Sequence, residues 1–90
     1  MKVINHEFDE YCVRETLLKD GWVWLSIKYF KKEVNPSWRE LQDIKNNICG
    51  EDREALEVYP PEEHIIDTLN HFHLWVMPKG RKFKHSRRIE

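Results

Sequence analysis

Apolar residues recur at steps of three and four between Asn35 and Gly50. Trp38, Leu41, Ile44 and Ile48 fall on one side of a helical wheel, with Arg39, Gln42, Asp43, Lys45 and Asn46 on the other. The flanks carry stop and start signals. Asn35 is a capping residue type, Pro36 suits a first helical position, Ser37 and Glu40 have the S-x-x-E capping-box spacing, and Gly50 is placed to end the helix in a left-handed conformation. An amphipathic helix is predicted here. Before it, Trp22–Phe30 is an unbroken run of strand formers, and Asp20-Gly21 is a two-residue hairpin signal. That turn would pair Tyr11–Leu18 with the following strand, Leu18 opposite Val23 and Thr16 opposite Leu25. A short helix over Asp9–Lys19 is the competing reading, and β-branched Val13 and Thr16 weigh against it.

After the helix, Arg53–Tyr59 alternates polar and apolar residues and stops at Pro60-Pro61, which cannot continue a paired strand. Glu62–Asn70 reads as a connection and His71–Met77 as the last strand. The pattern predicts an α+β fold: a small antiparallel sheet in β-β-α-β-β order with one amphipathic helix packed on one face. Alternation assigns Val23, Leu25, Ile27, Leu56, Val58, Phe72, Leu74 and Val76 to the helix side. The other side receives Trp22, Trp24, Ser26, Lys28, Glu57, Tyr59, His71, His73, Trp75 and Met77. A sheet face turned to water is usually polar, so several Trp on one face predict an interaction surface.

Ninety residues suffice for one core, and the many aromatics supply its bulk. The only cysteines, Cys12 and Cys49, have no disulfide-framework spacing and read as reduced thiols. No run is long and apolar enough for a membrane span, and the first ten residues lack the apolar core of a secretory signal, so a cytoplasmic protein is expected. The net charge of −1 conceals an asymmetry. Residues 1–78, expected to form the single domain, hold nine Lys/Arg against fifteen Asp/Glu, a net of −6. Residues 79–90 hold six Lys/Arg against one Glu, a net of +5. Lys79, Arg81, Lys82, Lys84, Arg87 and Arg88 therefore form a basic tail suited to phosphate or an acidic protein surface, or simply to solvation.

Candidate chemistry is sparse. His71-x-His73 places two imidazoles on one strand face about 7 Å apart, and His64 or Glu57 would complete a zinc site. Glu57, Glu62, Glu63 and Asp67 offer carboxylates near His64 and His73 for acid–base work. No nucleophile is nominated: Cys49 sits at the negative end of the helix dipole, Cys12 lacks a cationic neighbourhood, and Ser26 and Ser37 lie outside any nucleophile elbow. Glycine-rich phosphate loops are absent, and no cofactor is expected.

The stretch Ser37–Trp75 carries Trp38-Arg39-x-Leu41-Gln42-x-Ile44-Lys45-Asn46, Cys49-Gly50, Arg53-Glu54-Ala55, Glu57-x-Tyr59-Pro60-Pro61-Glu62, Asp67-Thr68, Asn70 and His73-Leu74-Trp75. In these it resembles a family of small uncharacterised bacteriophage and prophage proteins, a domain of unknown function; Leu25-Ser26-Ile27-Lys28 looks like that family's upstream strand. The basic end and His71 depart from the family pattern. The resemblance implies a phage-encoded protein acting in the bacterial cytoplasm. Glu57, Asp67, Asn70 and His73 are then either functional residues or, for Asp67 and Asn70, ties for the loop after Pro61. Three expectations follow. The leading one is a non-enzymatic protein that binds a host protein complex, such as a CRISPR-type defence complex, or a second copy of itself, through Trp22, Trp24, Tyr59, His73 and Trp75. The alternatives are a single-stranded nucleic-acid binder using the Trp face and basic tail, and a metal-dependent enzyme on His64, His71 and His73.

Overall fold

A computed structural model of the chain describes residues 1–59 and 70–81. It shows the expected α+β architecture, with one strand more than the pattern predicts. The strands are β1 (Lys2–Glu7), β2 (Tyr11–Leu17), β3 (Val23–Tyr29), β4 (Ala55–Val58) and β5 (His71–Val76); the helix α1 is Trp38–Cys49. They form one antiparallel sheet in the order β1-β2-β3-β5-β4. β3 and β4 both run opposite to β5, so they are parallel to each other, and α1 is the crossover between them.

The helix begins as its capping signals require. Ser37 is the N-cap: its hydroxyl accepts from the Glu40 N–H at 3.1 Å, and the Glu40 carboxylate accepts from the Ser37 N–H at 2.7 Å. Asn35 and Pro36 precede the helix rather than start it. Gly50 closes it at φ 99°, ψ 155°, a mirror-extended conformation open to glycine rather than the expected left-handed helical one. Leu41 and Ile44 join Val13, Val23, Leu25, Ile27, Tyr29, Leu74 and Val76 in the core. Lys45, expected on the solvated side, is only 2% exposed. Its ammonium donates to the carbonyls of Gly50, at 3.3 Å, and Arg53, satisfying oxygens beyond the helix end that would otherwise lack donors. Desolvation lowers its pKa.

Three further expectations need correction. β1 escapes the pattern because its exposed edge carries Lys2, Asn5 and Glu7; only Ile4 and His6 turn partly inward. The β2–β3 register is shifted by one: Leu17 faces Val23, Thr16 faces Trp24 and Glu15 faces Leu25. The cause is a three-residue connection, Lys19–Gly21, with φ 61° at Asp20 and 85° at Gly21, instead of a two-residue turn. The shift turns Glu15 inward, where its carboxylate meets His6 Nε2 at 2.9 Å. Finally, β4 is flipped. Leu56 faces Trp75 and Val58 faces His73, whereas Glu57 faces Leu74 on the helix side. Met77, assigned to the Trp side, is buried, and its N–H donates to the Glu54 carbonyl at 2.9 Å.

Arg53 fastens this end of the sheet. Its Nε donates to the Met77 carbonyl at 2.8 Å and its Nη2 to the Gly21 carbonyl. Gly21 is also required there for space, since a Cβ on it would stand 3.2 Å from the Pro78 Cβ. At the opposite end Asn70 joins β3: its backbone carbonyl accepts from the Tyr29 N–H at 3.0 Å, and its side-chain amide donates to the Tyr29 carbonyl. Asn70 thus ties the start of β5 to the end of β3; Asp67 lies outside the described residues.

Candidate functional site

Alternation along β3 and β5 brings the predicted aromatic residues together on the face opposite α1. Trp24 is paired with Trp75, Ser26 with His73, and Lys28 with His71. The rings form a ladder. Trp22 stacks on Trp75 with centroids 4.9 Å apart, Trp75 meets Trp24 edge-on at 5.6 Å, Trp24 meets His73 at 5.6 Å, and His73 meets His71 at 6.1 Å. Such ring pairs contribute roughly 0.5–1.5 kcal/mol each beyond area burial. Each Trp in the ladder is half-buried by its neighbours. Leu56, 50% exposed beside Trp75, and Val3 on β1 extend the apolar surface, while Arg14 and Lys28 supply exposed positive charge on the same face.

Tyr59 does not join this ladder. It follows β4, is 82% exposed, and makes no ring contact among the described residues. Leu56 and Val58 take its place, and the inverted alternation of an edge strand hid them. His73 holds a polar atom in an apolar setting: its Nδ1 is shut off from solvent and has no hydrogen-bond partner among the described residues. Burial first, and the neighbouring His71 second, lower its pKa, favouring the neutral imidazole.

The other constellations do not assemble among the described residues. No group of three His, Cys, Asp or Glu side chains capable of holding a metal occurs there, and His64 lies outside them. Glu57 and His73 are on opposite faces, so that acid–base pairing is lost; Glu62, Glu63 and Asp67 lie outside the described residues. Both cysteines are free, Cys12 opposite Lys28 on the Trp face and Cys49 in the last turn of α1, packed against the core. Burial, followed by Glu15, pushes the Cys49 thiol up to about 11, a poor nucleophile at neutral pH. Of the basic residues, Lys79 lies 3.8 Å from Asp52 and the Arg81 N–H closes a turn onto the Pro78 carbonyl; Lys82, Lys84, Arg87 and Arg88 lie outside the described residues. Among the described residues no helix is long and apolar enough to cross a membrane.

Sequence reasoning missed a second concavity. It lies between the β1–β2 turn, the end of β3 and the first turns of α1, and is lined by acids and two tyrosines. Asp9-Glu10 beside Tyr11 was its local signal; the approach of Glu40 and Asp43 from the helix is tertiary.

Fold and site together define a small α+β protein whose sheet is covered by a helix on one face and by its own stacked aromatic rings on the other. Residues 15–79 match the family described as Domain of unknown function (DUF7694), and the chain belongs to it. The matched stretch begins in β2 and includes every ring of the ladder. No curated protein and no solved structure matches the chain.

Proposed function

We propose that this chain is a non-enzymatic interaction module that docks a protein partner on the Trp–His face. The ring ladder carries this reading. Trp and Tyr dominate interface hot spots because they combine large apolar area with few rotatable bonds, and Arg14 and Lys28 provide a polar rim. The finer reading, a phage-encoded protein that binds a host complex in the bacterial cytoplasm and so blunts a defence, draws on the family resemblance.

Stacked nucleobases fit less well. Trp22 and Trp75 use ring faces on each other, and base stacking needs those faces open. The test is association of the full chain, with itself by light scattering and with bacterial lysate proteins by pull-down, before and after Leu56→Lys. A charge at this half-exposed position should abolish partner recovery or dissociate a dimer while leaving the fold intact. Retained association in the variant, or salt-sensitive capture of single-stranded RNA in place of protein, would defeat the reading.

A further inference from the structure

The register of β4 turns Glu57 to the helix side and leaves the Trp–His face nearly without carboxylates. Glu7, on the outer strand β1, is the one acid among the strand residues of that face. Donors are gathered there instead. Reading across the sheet, Arg14 lies opposite Ser26, and Ser26 opposite His73; in the next row Lys28 stands between Cys12 and His71. Arg14 and Lys28 are diagonal neighbours, about 7–8 Å apart, an interval that two long side chains can close on a single group. Both are exposed, and no carboxylate among the described residues pairs with either. Residues 1–78 carry a net charge of −6, so acids are plentiful, yet among the described residues none is directed to this pair. His73 adds a third donor. Its Nδ1 is shut off from solvent and lacks a partner among the described residues. A buried lone pair left unsatisfied is better tolerated than a buried N–H, which assigns the proton to Nε2 at the other side of the ring. The neighbouring indoles bring N–H donors and electropositive ring edges, and again no acceptor.

The complement to this arrangement accepts hydrogen bonds, donates none and carries negative charge. We infer that the protein partner presents an acidic segment to this face, with an Asp or Glu carboxylate seated over Ser26 between Arg14, Lys28 and His73. A carboxylate meets a guanidinium in two parallel hydrogen bonds, so Arg14 sets its orientation while Lys28 supplies charge. The spacing of the rows sets the rest of the pattern. Trp24 and Trp75 lie two residues along their strands from Ser26 and His73, about 7 Å away, the interval between alternate side chains of an extended chain. An acid in one position therefore places the side chain two residues on against Trp75 and Leu56, where an aliphatic or aromatic group fits. The acidic segment presupposes that a protein docks on the Trp–His face, and adds the chemistry of what docks.

The experiment selects binders of the full chain from a random linear peptide library and measures the recovered peptides singly by calorimetry and amide NMR. Enrichment of Asp or Glu two positions from an aliphatic or aromatic residue is expected, with shifts centred on Arg14, Ser26, Lys28 and the Trp24 and Trp75 indoles. Arg14→Gln with Lys28→Gln, both at exposed positions, should weaken these peptides about tenfold or more, the scale of one lost charge-assisted hydrogen bond. Changing the acid of the peptide to its amide should do the same, and added salt should weaken the acid form more than the amide form. Leu56→Asn removes the apolar contact at constant charge and separates the two readings. Peptides that it releases but the Arg14→Gln/Lys28→Gln variant still holds, or that carry no acid, overturn the acidic segment and leave protein docking on the face standing. Peptides released by neither variant, or no enrichment over the unselected library, overturn both. Displacement of the peptides by a single-stranded oligoribonucleotide that binds more tightly at the same residues overturns the acidic segment in favour of phosphate.

Discussion

The two faces of the sheet both carry a row of aromatic rings, and the rows behave differently. On the helix side Phe8, Tyr11, Tyr29 and Phe72 run across the strands at one end, with centroid spacings of 4.8, 5.2 and 6.0 Å. The centre of that face, Val13, Val23, Leu25, Ile27, Leu74 and Val76, is aliphatic and sealed by Leu41 and Ile44 of α1. On the opposite face the rings run along β3 and β5, and their neighbours are other rings, Leu56 and Val58. One face gains stability from a partner supplied by its own chain. The other is half-covered by self-stacking, which limits the cost of exposing three tryptophans while keeping their edges available. Aromatic content alone does not mark a binding surface; what matters is whether the fold supplies a lid.

This contrast can be broken from either side. Leu41→Ala removes the plug of the helix side and should destabilise the protein by about 3 kcal/mol, within the range for a buried leucine, measured by urea unfolding. A loss below about 1 kcal/mol would mean that α1 is not the lid. Trp75→Ala, in a half-buried ring with two Trp neighbours, should cost about 2 kcal/mol, less than a fully buried tryptophan, and should also alter the near-ultraviolet circular dichroism of the remaining indoles. Equal losses in the two variants would erase the distinction between the faces.

The third outcome is a pH effect. Because burial and His71 depress the His73 pKa, the folded protein binds fewer protons than the unfolded chain in mildly acidic solution. The associated stability is complete above the unfolded value of 6.5 and is lost as the pH falls below it, through the lower folded value. Unfolding midpoints measured between pH 7 and pH 5 should drop more steeply for the native chain than for His73→Phe; parallel curves would show that the Trp–His face keeps no proton out. The smallest expected effect is that of Leu56→Lys on stability, within about 0.5 kcal/mol, since half of this edge side chain already meets solvent. A larger loss would mean that Leu56 belongs to a core.

Legibility from sequence followed how firmly each segment is constrained. The helix was readable to its cap, because Ser37, Glu40 and the Leu41–Ile44 spacing each agree with the same structure. β3 and β5 were readable by face, since a one-residue slip in a strand buried on one side would expose Leu25 or Leu74. Among the described residues β4 has a partner on one side only, and as an edge strand its parity is weakly enforced: Leu56 lies outward and Glu57 inward against the simplest pattern. β1 was hidden for the same reason. The hairpin register turned on one residue of loop length, which Asp20-Gly21 signals ambiguously. Of the site, Trp22, Trp24, His73 and Trp75 were legible; Leu56 and Val58, and the acid–tyrosine cleft, depend on pairings and approaches that no local pattern encodes.

The crossover from β3 through α1 to β4 leaves a slot in the sheet that the last strand must fill. Until β5 arrives, β3 and β4 flank an empty lane, and neither Trp24 nor Leu56 has its cross-strand neighbour Trp75. Every ladder contact named above includes a residue of β5, so the ring face is complete only once that strand has paired, a pairing of high sequence separation with β3. During synthesis the nascent chain would expose Trp22 and Trp24 unstacked until His71–Val76 has left the ribosome. The same six residues therefore complete both the sheet and the ring ladder.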